Sequence, residues 1–296
     1  MFRYQNVGDV TIFTSLVERV SISFQNRIIV LLAKGLEQRV ELRSNQRVTY
    51  IFLETDIIYE KLFRIGYRLQ KAIPGKICCV YKDHTVSKFP KVSNGLIGLG
   101  HRKTKLGLSP DTKTDSPLAQ AVDINEAFKK FKDLRLKYKK TIAIFPFSRS
   151  IDSRHGTNEI TSPWMVGLKR LIYQAKEKDI FIFLNIAGKP EWEKNAEHLV
   201  CDNVRVSDIP LEQIIVFASL CGYVLTIRSG ICELLRYADS KLFIAYPSEK
   251  EYQNFNLKSL TETPLPECTI EEVIDLENEA SIDAFLNLPM QYCDRD

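Results

Sequence analysis

No stretch of the chain approaches the roughly 18 consecutive apolar residues that a membrane-spanning helix needs. The opening residues, MFRYQNVGDV, lack both the apolar run and the small-residue cleavage site of a secretory signal, so a cytoplasmic protein is expected. Cysteine is sparse and unpatterned: seven residues, an odd number, with no CxxC or CxxH spacing. That pattern supports neither a disulfide framework nor a zinc site, and reduced, mostly buried thiols are expected instead. No GxxxxGK[ST] loop occurs and no GxGxxG follows a predicted strand, which argues against a P-loop ATPase and a standard NAD-binding protein. There is also no internal repeat with a period of about 20 to 50 residues, which excludes the common solenoids.

What is present is a globular composition with a hidden charge split. A chain of 296 residues, 45% hydrophobic and 26% charged, can build one large or two modest α/β domains. The net charge of +4 is the sum of two unlike halves. Residues 1–140 hold 26 Lys and Arg against 13 Asp and Glu, a net of +13, while residues 141–296 hold 15 against 24, a net of −9. Two domains with different partners follow from this. The basic half suits an acidic ligand such as a phosphorylated glycan, an anionic membrane surface or nucleic acid, although solvated lysines that only confer solubility give the same count. No RRM, KH or helix-turn-helix pattern accompanies the charge, so nucleic acid is not the expected partner.

Periodicity organises the second half. Strand patterns at 141–147, 180–188, near Val204, 223–227 and 242–247 alternate with helix patterns at 164–178, 211–221 and 232–239. Short apolar runs alternating with helix-period segments signal βαβ units and a doubly wound parallel sheet, covered on both faces. Pro163 leads into one helix, and Asp208, Pro210 and Glu212 open the next. The first half is less regular, with strand candidates at 27–33, 47–53 and 77–81, a helix candidate at 56–73 and a long Gly- and Lys-rich loop from 82 to 123. A basic helix at 126–140 is expected to join the halves. The chain thus divides into 1–138, 139–260 and an acidic tail, 261–296, expected to form a peripheral helix and a frayed end.

In such a sheet, ligands bind beyond the carboxyl ends of the strands, where strand-to-helix turns present backbone N–H groups. Three of these turns are polar. After 223–227 come Arg228, Ser229 and Gly230: the arginine can grip a phosphate bidentately, the serine can offer its hydroxyl, and the glycine lets a ligand approach the backbone. After 141–147 come Ser148, Arg149 and Ser150, with Arg154 and His155 nearby. After 180–188 the chain offers Asn185, Gly188 and Lys189. Glu233 is placed to accept sugar hydroxyls or, equally, to complement a helix dipole. Asn185 and Ser148 could also be satisfied by loop backbone alone. Together the three turns suit a diphosphate-bearing ligand.

From Thr141 to Tyr246 the order and spacing of Pro146, Trp164, Gly188, Glu191, Ser229 and Gly230 resemble the donor-binding domain of GT-B glycosyltransferases, particularly the ADP-heptose:lipopolysaccharide heptosyltransferase family. Gly8-Asp9-Val10 is similar to that family's Gly-Asp-Val segment. The family's Asp before Ser/Thr-Gly is Arg228 here, and the His of the following turn is replaced within Cys232-Glu233-Leu234. The resemblance implies two Rossmann-like domains, nucleotide on the second and acceptor largely on the first. It implies transfer from a nucleotide-sugar donor to a glycan or lipid-linked acceptor of the bacterial surface polysaccharide type, and the charge of the basic half adds the expectation of a peripheral contact at the inner membrane face. Asp9 then becomes the candidate base, with His101 as the alternative and Asp83 and His84 behind them. Ser148, Arg149, Asn185, Arg228, Ser229, Gly230 and Glu233 become donor-binding candidates. No DxD follows a strand, so no essential metal and no further cofactor are expected. An epimerase or hydrolase of the same architecture, or a non-catalytic binder of nucleotide or acidic polymer, is the competing reading.

Overall fold

The computed structural model describes, before residue 140, four short strands and the isolated residues Thr11, Asp133, Lys137 and Tyr138. From Lys140 on it describes the chain except residues 149–150, 152–153, 187–189, 208, 210, 258–264, 267 and 296. The chain divides into two compact units: 1–119 with 258–264, and 120–257 with 265–296. Among the described residues no helix is long and apolar enough to cross a membrane.

In the first unit, β1 (Ile28–Ala33) runs parallel to β2 (Val48–Leu53), with Ile28 opposite Val48 and Ala33 opposite Leu53. A second parallel pair joins β3 (Cys79–Val80) to β4 (Leu96–Ile97). The three expected strands are found within two residues of their predicted starts. β4 falls inside the expected loop, because an apolar pair with glycines at 95 and 98 is too short to show a period. The helix expected at 56–73 and Asp9, Asp83, His84 and His101 lie outside the described residues.

The second unit is built on six strands: β5 (Lys140–Phe145), β6 (Ile180–Asn185), β7 (Val204–Ser207), β8 (Gly222–Ile227), β9 (Lys241–Tyr246) and β10 (Thr269–Val273). All neighbouring pairs are parallel and the sheet order is β10-β9-β8-β5-β6-β7. Counted from β5, that is the 3-2-1-4-5-6 order of a doubly wound nucleotide-binding sheet. The expected doubly wound domain is therefore present.

Seven helices are described in this unit: α1 (Pro163–Glu177), α2 (Pro190–Ala196), α3 (Ile214–Cys221), α4 (Cys232–Leu235), α5 (Glu249–Phe255), α6 (Glu279–Leu286) and α7 (Leu288–Arg295). Strand alternation sorts the core. Ile142, Ile144, Ile182, Leu184, Leu225 and Phe243 share one hydrophobic cluster with Trp164, Leu168 and Ile172 of α1 and Phe285 of α6. On the other face, Phe183 meets Phe217 of α3 edge-on at 5.2 Å between ring centroids.

Local chemistry sets the helix ends. Ser162 caps α1 by accepting from the Met165 N–H at 3.2 Å, and Pro163 occupies the first turn, where its missing N–H costs nothing. Gly222 takes φ +77° at the end of α3, a left-handed step that lets the chain turn directly into β8. α1 and α6 approach closely at Gly167, where an added Cβ would lie 2.7 Å from Ile282 Cγ2 and 2.9 Å from Leu286 Cδ1. Arg170 fastens the same pair of helices, donating from Nε (3.1 Å) and Nη2 (3.0 Å) to Asp283 and from Nη1 (2.9 Å) to Glu279. Gly167→Ala gains about 0.5–1 kcal/mol of helix propensity but overpacks the contact by about 1–3 kcal/mol. The expected net loss is about 1 kcal/mol, read as a lower urea midpoint at unchanged m; a higher midpoint would show that α1 and α6 part without strain.

Two segments differ from the sequence-based expectation. Residues 190–199, which carry no helix pattern in the sequence, form α2 and a 3-10 turn at Glu197–Leu199, anchored by buried Trp192, Ala196 and Leu199. Residues 261–296, read as a tail, supply edge strand β10 and helices α6 and α7. Their acidic composition conceals an apolar stripe, Ile282, Leu286, Met290 and Cys293, at helical spacing and fully packed on the core.

Candidate functional site at the switch point

The strand order reverses between β5 and β8, which pair through Phe145 and Thr226 at their carboxyl ends. Connections leave these two strands toward opposite faces of the sheet and open a crevice where ligands bind in this architecture. The turns bordering it are Pro146-Phe147-Ser148 and Arg228-Ser229-Gly230.

Aromatic residues fix the first turn. The buried Trp164 indole donates to the Pro146 carbonyl at 2.9 Å, so the start of α1 is tied to the end of β5. Phe147 stacks on Trp192 of α2 with centroids 5.2 Å apart. Ser148 is buried, and its carbonyl accepts from the Ile151 N–H at 3.0 Å. Arg149 lies outside the described residues. Asn185 ends β6, next to β5; it is buried and its Oδ1 accepts from the Ile209 N–H at 3.4 Å, toward the exit of β7. Gly188 and Lys189 lie outside the described residues.

The second turn is organised from within. Ser229 is partly exposed and Gly230 exposed, whereas Arg228 and Glu233 are buried. Arg228 Nη2 pairs with Glu233 Oε1 at 2.5 Å, with side chains only 9% and 1% exposed. Arg228 Nε donates to the Phe255 carbonyl at 2.9 Å, and Nη1 donates to the carbonyl of Ser229. Arg236, also buried, brings Nη1 within 3.5 Å of Glu233 Oε2. Burial opposes the charge on Arg228, but the Glu233 carboxylate outweighs it and holds the guanidinium above the ordinary arginine value. Arg236 goes the other way: burial, assisted by Arg228, lowers it in spite of Glu233.

Sequence reasoning placed Arg228 and Glu233 at the ligand edge. Their position in the chain is as expected, but their side chains turn inward and engage each other.

The network extends to residues that sequence reasoning missed. Tyr246 ends β9 and donates to Glu271 Oε1 of β10 at 2.5 Å, and the same oxygen accepts from the Leu257 N–H at 2.7 Å. Burial, with Glu271 adding to it, pushes the Tyr246 phenol well above the ordinary tyrosine value. A tyrosine at the end of one strand and a glutamate in the next carry no pattern that distinguishes them from ordinary sheet residues. α4 is also shorter than expected, a single turn at Cys232–Leu235 against a predicted 232–239. Beyond it, Tyr237 and Ala238 donate to Leu234 and Leu235 in tight three-residue steps, and buried Arg236 draws the chain inward. One turn of helix carries little dipole, so the anion chemistry of this edge rests on turn N–H groups and side chains. Across the edge, Arg154 of the β5 exit loop pairs with Glu251 of α5.

Cys201, Cys221, Cys232, Cys268 and Cys293 are free. Among the described residues no three His, Cys, Asp or Glu side chains gather as metal ligands.

No protein-family model matches the chain, and no curated protein sequence does. Solved structures do. The chain is similar to E. coli heptosyltransferase WaaC with ADP, at 12% identity over 99% of this chain and 98% of that one, with a TM-score of 0.52. The WaaC structure with ADP-2-deoxy-2-fluoro heptose gives 12% identity, the same coverage and a TM-score of 0.53. A glycosyl transferase family 9 protein from Veillonella parvula DSM 2008 gives 11% identity over 99% of this chain and 95% of that one, with a TM-score of 0.57. At these identities the likeness is one of fold, and it extends the sequence resemblance across the length of the chain: this protein has the GT-B fold of the heptosyltransferase-type glycosyltransferases.

Proposed function

We propose that the protein is a glycosyltransferase that moves a sugar from a nucleotide-sugar donor to a glycan or lipid-linked acceptor without an essential metal ion. The supporting observation is the switch-point crevice between β5 and β8, bordered by Ser148 on one side and Ser229-Gly230 on the other, in a chain with the fold of ADP-binding heptosyltransferase structures. Ser148, Asn185, Ser229 and Gly230 are the proposed donor-side residues. Arg228 and Glu233 hold the second turn in place from beneath it. Transfer places growing negative charge on the leaving diphosphate, which turn N–H groups, hydroxyls and a cation stabilise. The acceptor hydroxyl needs a base, and Asp9 or His101 of the basic half is the proposed one.

A melting-temperature panel of ADP, GDP, UDP, CMP and their sugars tests this reading, run with and without a chelator. A ligand that binds only the native state stabilises it by mass action, by about 2.7 kcal/mol at a hundredfold excess over Kd, and so raises the melting temperature. One nucleoside diphosphate and its sugar are expected to shift the transition by several degrees, with the chelator changing nothing. If no nucleotide in the panel moves it, the nucleotide-sugar reading fails.

A further inference from the structure

We infer that Arg154 is the guanidinium that meets the donor's diphosphate, and that Glu251 is the counter-ion the diphosphate displaces; this rests on the nucleotide-sugar reading above. The inference starts from the commitment of Arg228. Its three nitrogens face Glu233, Phe255 and Ser229 from a buried position, and Arg236 is buried behind it. Among the described arginines in the segments that join β5 to β6, β8 to β9 and β9 to β10, Arg154 has the most exposed side chain, at 47%, while Arg170 of α1, at 37%, is held by Asp283 and Glu279.

Topology puts Arg154 where a cation is needed. Its loop leaves the sheet after β5, and α5, which carries Glu251, leaves after β9. β5 and β9 are the two neighbours of β8, and β8 exits through Arg228-Ser229-Gly230. The Arg154–Glu251 pair therefore joins the segments that flank the Ser229-Gly230 turn, with Ser148 on the Arg154 side. Pro146 and Phe147 are anchored by Trp164 and Trp192 just before this loop, and Ser248 caps α5 by accepting from the Glu251 N–H at 3.2 Å. The Glu251 end of the pair thus sits on a capped helix.

Magnitudes favour an exchange of partners. The pair is open to water on one side only, with the Arg154 side chain 47% exposed and that of Glu251 14%, so solvent screens it in part. A diphosphate offers several oxygens and more than one negative charge, and a guanidinium binds it through two parallel, charge-assisted hydrogen bonds. Releasing Arg154 leaves the Glu251 carboxylate, only 14% exposed, without its partner, a cost that the diphosphate has to exceed. In this scheme Glu251 keeps the site from holding small anions tightly and sets a threshold that a diphosphate passes.

Isothermal titration with the nucleoside diphosphate selected by the panel, and with the monophosphate of the same base, tests the assignment. Arg154→Gln is expected to weaken diphosphate binding about tenfold and the monophosphate much less. Arg154→Lys should recover part of the loss. Glu251→Gln, which removes the competing charge, should tighten diphosphate binding about two- to threefold. Wild-type diphosphate affinity in Arg154→Gln, or weaker binding in Glu251→Gln, overturns the inference and leaves the nucleotide reading standing. Failure of the wild-type protein to bind any nucleotide removes both.

Discussion

Glu233→Gln should lower the stability of the second unit by about 3–5 kcal/mol, because it leaves Arg228 and Arg236 buried with no carboxylate between them. At roughly 2–4 °C per kcal/mol for a unit of this size, the melting temperature falls by about 10 °C. The loss comes mainly from stranded positive charge. Arg228 and Glu233 touch at 2.5 Å with almost no solvent contact, so their attraction is unscreened, but so was the cost of bringing them there. The companion variant separates these contributions. Replacing Arg228 and Arg236 by Met and Glu233 by Leu together removes all three charges. Buried ion clusters often exchange for apolar groups at little net cost. That triple variant should melt well above the single one, short of wild type by whatever the Phe255 carbonyl loses when Arg228 Nε no longer donates to it. Scanning calorimetry of both decides the matter. A single variant that melts within a degree or two of wild type would mean that water reaches the cluster.

Trp164→Ala is expected to cost about 3–5 kcal/mol, the range for truncating a large core aromatic. The indole is fully buried against the sheet, and its Nε1 donates to the Pro146 carbonyl at 2.9 Å. Trp164→Phe keeps most of the ring and removes only the donor, so a loss of about 1–3 kcal/mol is expected from the orphaned, buried carbonyl. The Phe variant reports the hydrogen bond, and the difference between the two reports the packing of the ring. Chemical denaturation with tryptophan-independent detection, such as far-ultraviolet dichroism, measures both. If the Phe variant loses as much as the Ala variant, the tie between β5 and α1 contributes more than ring packing does.

The central strands were legible because burial on both faces leaves an unbroken apolar run, as in IFIFLN of β6, where every residue is buried. Edge strand β10 was not. Its sequence, TIEEV, is half-exposed and carries Glu271 and Glu272, and nothing local separates it from an acidic loop. The turn at Arg228-Ser229-Gly230 was placed correctly as a strand-to-helix junction, yet the direction of its arginine was not readable. That direction depends on Glu233 five residues on, on Phe255 far along the chain, and on α4 stopping after one turn. Sequence gives the order of such groups, while their facing is settled by tertiary partners. The same applies to Arg154, noted in sequence only as a neighbour of Ser148. Its significance arises from Glu251, which the strand order brings to the opposite side of β8.

The path of the chain through the sheet has a consequence for biosynthesis. The second unit takes in residues 120–257, leaves 258–264 to the first unit, and resumes at 265 with β10, α6 and α7. β10 pairs with β9 and presents Glu271 to Tyr246, and α6 lies against α1 at Gly167. The outer strand and one helical cover of this unit therefore emerge from the ribosome after the rest of its sheet. Until they do, β9 presents an unpaired edge and α1 an uncovered apolar face, so the nascent chain is exposed to wrong pairing longest at this edge.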